Sequence, residues 1–341
     1  MDSARLSLEE LKIKITQANL PPEVSEKLLT ALKFSGIHEL SSLVAYINFV
    51  ISLPFNKNST DILDINRTKQ ILDKNHYGLQ VVKDRILEYL AVMILNRRNP
   101  QRQRVEGHAP ILAFIGLVGT GKTSLAYSIA ESLGRPIVRI PFGGLGDPNL
   151  LRGQSRQRAE AEPGQIIKAV RLAKVSNPVI LLDEIDRVAQ EHRVDIMGIL
   201  VELLDPSQNQ AFVDHYLDFP YDLSQVLFIA TANNTSNIAT AVLDRIEPIQ
   251  MPSFTDEEKQ IIGKNYLLPK ALEEAGIDNN ILQIDDSIWP QIIRPLGFDA
   301  GIRSLARTLQ TICRKVARKM VEGQSGPFKI NSDNLGDYLT G

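Results

Sequence analysis

An eight-residue loop, Gly116-Leu-Val-Gly-Thr-Gly-Lys-Thr123, constrains the fold of this chain more than any other feature. It follows the apolar run Ile111–Ile115, which predicts a buried parallel strand. It opens onto residues 124–133, whose apolar positions recur at helical spacing. Strand, glycine loop and helix in this order are the context in which the pattern binds phosphate. A plain glycine-rich turn before a helix would explain neither the complete pattern nor its context.

The loop predicts a bound nucleoside triphosphate with Mg²⁺. Its glycines let backbone N–H groups curl around phosphate oxygens, and the helix N-terminus adds partial positive charge. Lys122 can reach the β- and γ-phosphates, and Thr123 offers a hydroxyl to Mg²⁺. The predicted binding residues are Gly116, Leu117, Val118, Gly119, Thr120, Gly121, Lys122 and Thr123.

The composition indicates a globular chain of about two domains. The 341 residues are 43% hydrophobic and 23% charged, which excludes an intrinsically disordered chain. A net charge of −2 gives no global argument for binding nucleic acid or a membrane. The one cysteine, Cys313, excludes a disulfide framework and fits a reducing compartment. The five histidines are scattered, so we predict no zinc site.

Four segments follow one another along the chain. Helical spacing predicts an all-α arm over residues 1–60 and a helical lead-in over 61–108, with one helical block from about Ile65 to Leu95. Alternating short apolar runs and helices predict an α/β nucleotide-binding domain over 109–253. Over residues 254–341 we expect helices without further strands, forming an α-helical lid domain.

The α/β segment predicts a five-stranded parallel sheet with helices on both faces, because its apolar runs are separated by helix-length intervals. Ligands of such sheets bind at the carboxyl ends of the strands. The predicted strands are Ile111–Ile115, Ile137–Ile140, Val179–Leu182, Val226–Ala230 and Glu247–Met251.

Two acids follow the third of these strands in Val179-Ile-Leu-Leu-Asp-Glu-Ile-Asp186. Asp183 is placed to complete the Mg²⁺ shell with Thr123. Glu184 then has no metal to hold and can orient or deprotonate an attacking water. A solvated acidic turn at the end of a strand is the alternative, and the phosphate-binding loop upstream argues against it.

A neutral polar residue, Asn233, ends the next strand in Val226-Leu-Phe-Ile-Ala-Thr-Ala-Asn233. Its amide can hydrogen-bond both the γ-phosphate and the lytic water. A turn-forming asparagine would be the preferred interpretation if the motif stood alone.

The chain resembles an AAA+ ATPase, a P-loop NTPase fold, and within that superfamily it is closely similar to the Lon protease family. The resemblance runs from about Leu53 to the C-terminus and is weaker in the arm. The matching stretches are Leu72-Asp-Lys-Asn-His-Tyr-Gly-Leu79, Val82-Lys-Asp-Arg-Ile-Leu-Glu-Tyr-Leu-Ala-Val92, Arg152-Gly153, Pro163-Gly-Gln-Ile-Ile167, Leu204-Asp-Pro-Ser-Gln-Asn209, Asp214-His-Tyr-Leu217, Leu243-Asp-Arg245 and Leu267-Leu-Pro-Lys270.

This resemblance implies ATP as the nucleotide and further roles for single residues. Asn233 corresponds to sensor 1, Arg303 to sensor 2 on the lid, and Arg245 to an arginine finger that reaches the ATP of the neighbouring subunit. A finger of this kind requires a homo-oligomeric ring, and the resemblance implies a hexamer. Ordinary salt bridges are the alternative for both arginines. The residues implied at the border of the adenine are Tyr77, Tyr266 and Leu267.

One loop departs from the family pattern. Lon proteins carry an aromatic–aliphatic pair that grips a polypeptide in the central pore, and this chain has Arg158-Ala159 at that point. A charged side chain cannot wedge against extended backbone by burying apolar area, so we expect weak general unfolding. A basic ring formed with Arg156 would instead favour an acidic segment or a phosphate backbone. An idle loop is an equal alternative.

The sequence ends where Lon proteins continue into a Ser–Lys peptidase domain, so we expect no peptide cleavage by this chain alone. Three hypotheses remain open. The chain is a Lon-like ring ATPase acting on a polypeptide, the motor of a full ATP-dependent protease, or a nucleotide-driven factor acting on a specific protein partner or nucleic acid. No signal peptide or transmembrane run is found in the sequence. We expect a cytoplasmic protein, or a mitochondrial matrix protein if a longer eukaryotic precursor was trimmed.

Overall fold

The computed structural model describes residues 2–34, 40–98, 111–158, 160–294 and 301–339. The chain separates into two compact units. The first unit comprises Met1–Leu63, Asn99–Ala113 and Ala130–Glu247, and the second comprises Asp64–Arg98, Phe114–Ile129 and Pro248–Gly341. Across the described ranges, no helix has the length and apolar character needed to cross a membrane.

The first unit begins with an arm of amphipathic helices. One side of each helix is buried, as Ile15, Leu28 and Ile47 show, because apolar residues recur at helical spacing. The helices are α1 (Asp2–Gln17), α2 (Pro22–Phe34) and α3 (Leu40–Ile51).

A five-stranded parallel sheet has the order β2-β3-β6-β1-β7, which confirms the α/β fold class and the predicted strands to within one or two residues at each end. β3 and β6 are buried at every position, as expected for central parallel strands. Their register pairs Val179 with Leu227 and Leu182 with Ala230. The strands are β1 (Ile111–Ile115), β2 (Ile137–Pro141), β3 (Val179–Asp183), β6 (Leu227–Ala232) and β7 (Ile246–Gln250).

Helices and one hairpin connect these strands. The hairpin pairs β4 with β5 in antiparallel fashion and carries the Asp214-His-Tyr-Leu217 stretch in its turn. It was missed in the sequence because each of its strands has only three residues. These connecting elements are α6 (Lys122–Leu133), α7 (Asn149–Arg152), α8 (Gln165–Ala173), α9 (Arg193–Leu204), α10 (Pro206–Asn209), β4 (Phe212–Asp214), β5 (Phe219–Tyr221) and α11 (Thr240–Leu243).

The second unit begins with two helices, α4 (Ile65–Asn75) and α5 (Gln80–Arg98), where the sequence predicted one block. Asp64 starts α4 by accepting backbone N–H groups of its first turn. Gly78 and Leu79 both have positive φ, at 62° and 56°, and such residues cannot continue a right-handed helix. This break lies in the His-Tyr-Gly-Leu stretch, so the turn separates the two helices.

The C-terminal part of the second unit packs helices around the buried side chain of Trp289. The expectation of helices without strands is wrong here, because β8 and β9 form a two-stranded parallel sheet. Each strand is too short for its periodicity to show in the sequence. The elements are α12 (Asp256–Ile262), a π-helical segment (Gly263–Leu267), α13 (Leu268–Glu274), β8 (Leu282–Ile284), α14 (Trp289–Ile293), α15 (Arg303–Val321), β9 (Phe328–Ile330) and α16 (Leu335–Leu339).

Candidate functional site

The phosphate-binding loop of the second unit turns between the end of β1 and the start of α6 at Lys122. Gly119 and Gly121 have φ of 82° and 96°, values that residues with side chains rarely adopt. The Thr120 side chain is buried, and its hydroxyl donates to the carbonyl of Leu117 at 2.9 Å. The loop is therefore a rigid, backbone-lined cradle opening at a helix N-terminus, which is the geometry that binds phosphate.

The side chain of Lys122 is folded into this cradle. Its Nζ donates to the carbonyl oxygens of Gly116 and Leu117, at 2.6 and 2.9 Å, and the residue is 8% exposed. These bonds keep a buried ammonium group at the loop, where it can exchange carbonyl partners for phosphate oxygens.

The start of α15 packs directly against the same loop. The backbone N–H of Ile302 donates to the carbonyl of Gly119 at 3.0 Å. Gly301 lies so close that an added Cβ would stand 2.3 Å from the Val118 carbonyl oxygen. Arg303 is the first residue of α15 and is exposed. A cation at a helix N-terminus opposes the helix dipole, so Arg303 is poorly explained by helix stability.

The three residues expected at the adenine, Tyr77, Tyr266 and Leu267, are half-buried. Tyr77 follows His76, whose Nε2 lies 2.9 Å from the hydroxyl of Ser128. Burial, with a smaller effect of Lys83, lowers the pKa of His76 to about 4, so its ring is neutral near pH 7. Tyr266 and Leu267 lie in the π-helical segment. Such segments occur frequently at functional sites.

In the first unit, the acids expected at the end of β3 are held by neighbouring strands. Asp183 is buried, and its Oδ2 accepts a bond from Nε of Arg139 at 2.6 Å. Its Oδ1 accepts a bond from the hydroxyl of Thr231. A carboxylate held this way by charge-assisted and neutral donors has a fixed orientation.

Glu184 has a left-handed backbone, with φ 59° and ψ 48°. Its N–H donates to the Thr231 hydroxyl at 2.9 Å, and its Oε1 lies 3.4 Å from Nη1 of Arg187. The half-exposed Arg187 makes this a weak, screened ion pair. Asn233 is half-buried and comes directly after β6, two residues beyond Thr231.

Arg245 is held within its own chain by a carboxylate. Its Nη2 and Nε donate to Oδ2 of Asp205, at 2.9 and 3.3 Å, and its Nη1 donates to the carbonyl of Ala241 at 2.8 Å. Hydrogen bonds from the Ser207 side chain and from Arg245 hold the pKa of Asp205 well below its usual range. The guanidinium is thus oriented at the start of β7, and its side chain remains 30% exposed.

Arg158 is exposed, and its backbone N–H closes a turn on the Ser155 carbonyl at 3.0 Å. Its predicted partner Ala159 lies outside the described residues. Arg156 places its guanidinium over the ring of Tyr46 in α3, 3.8 Å from the centroid. Burial raises the pKa of Tyr46 to about 12, so the contact is a cation–π interaction with a neutral ring.

The second unit therefore brings the phosphate-binding loop together with Arg303. The first unit brings Asp183 and Glu184 together with β6, the strand that Asn233 directly follows. Sequence reasoning missed the residues that hold these groups. Arg139 carried a signal, since it is a charged residue inside an apolar run, and the other missed residues carried none. The missed residues are Arg139, Thr231, Asp205 and Tyr46.

Taken separately, the two units present groups of the kinds that bind nucleotide phosphates and Mg²⁺. A glycine cradle with an inserted lysine suits the phosphates, and an oriented carboxylate suits Mg²⁺. Within the described parts of the chain, no group of three or more His, Cys, Asp or Glu residues could hold a metal ion by itself. Mg²⁺ needs no such group, because it is usually bound by one or two protein ligands together with substrate phosphates.

Two stretches of the chain match known protein families. Residues 112–253 match the ATPase family associated with various cellular activities (AAA). Residues 273–328 match the Lon protease AAA+ ATPase lid domain.

Similar proteins carry the name Lon protease. The sequence is 43% identical over 337 residues to the Lon protease of Lawsonia intracellularis and 43% identical over 337 residues to that of Clostridioides difficile. It is 41% identical over 341 residues to Lon protease 2 of Thermus thermophilus. Each comparison covers 97% of this chain but only 40 to 42% of the relative. The chain thus spans about two fifths of the length of these relatives.

Proposed function

This chain belongs to the Lon protease family, of which it is an AAA+ ATPase module, and from that premise we propose that it couples Mg-ATP hydrolysis in a ring to the remodelling of a polypeptide. The observation that carries the proposal is the packing of Gly301 and Ile302 against the phosphate-binding loop. That contact joins the nucleotide cradle to the lid, so a nucleotide that fills the cradle can bias the position of the lid.

The bound nucleotide would be held mainly by the loop of residues 116–123. Lys122 would contact the β- and γ-phosphates, and Thr123 and Asp183 would hold Mg²⁺. Mg²⁺ would neutralise charge that develops on the phosphate oxygens. We propose that the adenine is bordered by Tyr77, Tyr266 and Leu267.

Glu184 is proposed as the group that orients and deprotonates the attacking water. Asn233 would hydrogen-bond that water and the γ-phosphate. Arg303, at the start of α15 beside Gly119, would place positive charge near the phosphates from the lid. Arg245 would act on the ATP of the neighbouring subunit, which makes each site incomplete without a second copy of the chain.

A Gly301→Ala substitution tests whether the packing of Gly301 against the phosphate-binding loop supports nucleotide binding. An added methyl group would collide with the Val118 carbonyl, and overpacking of this kind costs about 1 to 3 kcal/mol. The phosphate-binding loop must shift to relieve this clash, and a displaced loop holds the phosphates in poorer geometry, so we expect affinity for ATP to fall about 10- to 100-fold. Binding of a fluorescent ATP analogue to the parent and the variant measures it. Gly336→Ala is the matched control, because a Cβ there meets open space within α16. Equal affinity in all three proteins would contradict the proposed site.

The loop between Gly153 and Gly164 bears on what the ring acts upon. Its neck is pinned by buried Asp214, whose Oδ2 accepts the Gly164 N–H at 2.8 Å and whose Oδ1 accepts the Tyr216 N–H at 2.8 Å. Its tip carries Arg156 and Arg158 and offers no aromatic side chain for grip. The lack of an aromatic side chain in this loop favours the second candidate function, a nucleotide-driven factor for a specific partner.

A variant with an aromatic–aliphatic pair in this loop distinguishes general polypeptide remodelling from action on a specific partner. We expect Arg158→Tyr combined with Ala159→Val to unfold a tagged model substrate about tenfold faster than the parent, because a buried aromatic or aliphatic side chain contributes about 1.5 to 3 kcal/mol. Arg158→Gln serves as the control for loss of charge without a gain of apolar surface. Unfolding by the parent at the rate of the double variant would show that the loop is not the limiting feature.

The remaining proposals concern the protein as a whole. We propose an arm over residues 1–60, a lead-in over 61–108, an ATPase domain over 109–253 and a lid over 254–341. We also propose a hexameric ring, a cytoplasmic location and a motor role in an ATP-dependent protease. The last of these fits the relatives named Lon protease. Any peptide cleavage would require a peptidase domain outside residues 1–341.

A further inference from the structure

Thr231 is the one hydroxyl-bearing residue of β6, whose other members are Leu227, Phe228, Ile229 and two alanines. The residue is completely buried. A buried hydroxyl is costly unless it is hydrogen-bonded. The hydrogen-bond partners of the Thr231 hydroxyl therefore indicate the role of this residue.

Strand register brings Thr231 beside both acids. β3 and β6 pair Leu182 with Ala230, so Asp183 and Thr231 follow one position further along the two strands. The Thr231 hydroxyl donates to Oδ1 of Asp183 and accepts the backbone N–H of Glu184 at 2.9 Å. A hydroxyl has one proton to donate. That proton is assigned to Asp183, because the Glu184 N–H can only donate.

The bond to Glu184 fixes an unusual backbone. Residues with side chains seldom adopt the left-handed conformation of Glu184, and they keep it where the surroundings hold it. This conformation turns the chain out of β3 and sets the direction of the Glu184 side chain. The acceptor that holds its N–H is the Thr231 hydroxyl.

The carboxylate of Asp183 is held by two donors, because Thr231 bonds one of its oxygens and a second residue bonds the other. Nε of Arg139, from the neighbouring strand β2, lies 2.6 Å from Oδ2. The torsion that turns an aspartate carboxylate is soft, so its donors set the plane. The side chain of Arg139 is 50% exposed, whereas Thr231 is fully buried. The hydroxyl is therefore the more rigid of the two donors.

We propose that Thr231 is a positioning residue for ATP hydrolysis, with one hydroxyl that orients Asp183 toward Mg²⁺ and aims Glu184 at the attacking water. The inference rests on the proposed roles of these two acids. Groups that hydrogen-bond metal-ligating carboxylates typically contribute 10- to 100-fold to metal affinity or activity. Thr231 has this relation to Asp183.

The test compares Thr231→Val and Thr231→Ala, which lack the hydroxyl, with Thr231→Ser, which keeps it. Thr68→Val is the matched control, since Thr68 is also buried and its hydroxyl donates to the Asp64 carbonyl in α4. Three quantities are measured for each protein. They are the ATPase rate, the Mg²⁺ concentration that gives half-maximal binding of a fluorescent ADP analogue, and the binding of that analogue in EDTA.

We expect Thr231→Val and Thr231→Ala to need about 10- to 100-fold more Mg²⁺ and to lose activity by a similar factor. Binding in EDTA should match the parent, and Thr231→Ser and Thr68→Val should show the parent's Mg²⁺ dependence. If Thr231→Val does not fold, Thr231→Ala carries the comparison.

Parent-like Mg²⁺ dependence in the two variants without the hydroxyl would overturn the inference and leave the proposed function standing. Equal loss in Thr231→Ser would also overturn it, because packing and not the hydroxyl would then be responsible. A parent protein that binds no nucleotide would overturn the proposed function itself, and the inference with it.

Discussion

A Glu184→Gln variant is expected to bind ATP as tightly as the parent and to hydrolyse it about 10²- to 10⁴-fold more slowly, the range typical of a lost general base. Glutamine keeps the size of the side chain but cannot take a proton. The bond between the Glu184 N–H and Thr231 uses the backbone and survives the change. The phosphate-binding loop is not altered, so binding is retained.

Nucleotide binding and phosphate release should be measured side by side on the same preparation. Glu191→Gln is the matched control, because Glu191 is exposed and the substitution removes the same charge. A Glu184→Gln protein that turns over ATP at the parent rate would refute the proposed role of Glu184. Loss of ATP binding in this variant would instead show that Glu184 supports the cradle.

The sheet could be predicted because its strands carry strong local signals. Central parallel strands such as β3 and β6 are covered on both faces and therefore appear as unbroken apolar runs. The strands β4, β5, β8 and β9 have three residues each and exist only through pairing with a distant or turn-linked partner. No pattern of period two can show in three residues, so tertiary pairing decides them.

The residues of the candidate site also fall into two groups, those that the sequence could predict and those that only the folded sheet reveals. Gly116–Thr123, Asp183 and Glu184 could be proposed from the sequence because the chemistry imposes residue types at fixed spacing. Thr231 and Arg139 were not, because their role depends on strand register between β2, β3 and β6. Register is a property of the folded sheet, and a single sequence does not reveal which residues it aligns.

The ion pair of Arg245 adds structural information to the role that its motif implied. The resemblance implied a finger, and ordinary ion pairing was the alternative. The structure contains such an ion pair, with Asp205. The two interpretations are compatible, because a carboxylate that orients the guanidinium can be exchanged for the phosphates of a neighbour's ATP. Asp205 also caps α10 by accepting the Ser207 N–H at 2.9 Å, so the helix fixes its position.

Alanine in place of Arg245 is expected to lower ATPase activity about 10³- to 10⁵-fold, the usual contribution of an arginine finger. The nucleotide pocket of the same subunit is untouched, so ATP binding should stay at the parent level. Arg245→Lys should be nearly as impaired, because a lysine cannot reproduce the forked geometry of a guanidinium. Parent activity in purified Arg245→Ala would show that the finger assignment is wrong.

Mixing subunits decides whether Arg245 acts in the neighbour's site. Lys122→Ala subunits supply Arg245 but cannot turn over ATP, and Arg245→Ala subunits keep an intact pocket. In a head-to-tail ring formed by random mixing at equal amounts, about a quarter of the sites combine an intact pocket with an intact finger. We expect the mixture to regain about that share of parent activity. Lys122→Ala mixed with Glu184→Gln is the matched control, since no subunit of that mixture has a working pocket. If neither mixture regains activity although mixed rings form, Arg245 acts within its own subunit, and its pairing with Asp205 is then part of that subunit's own site.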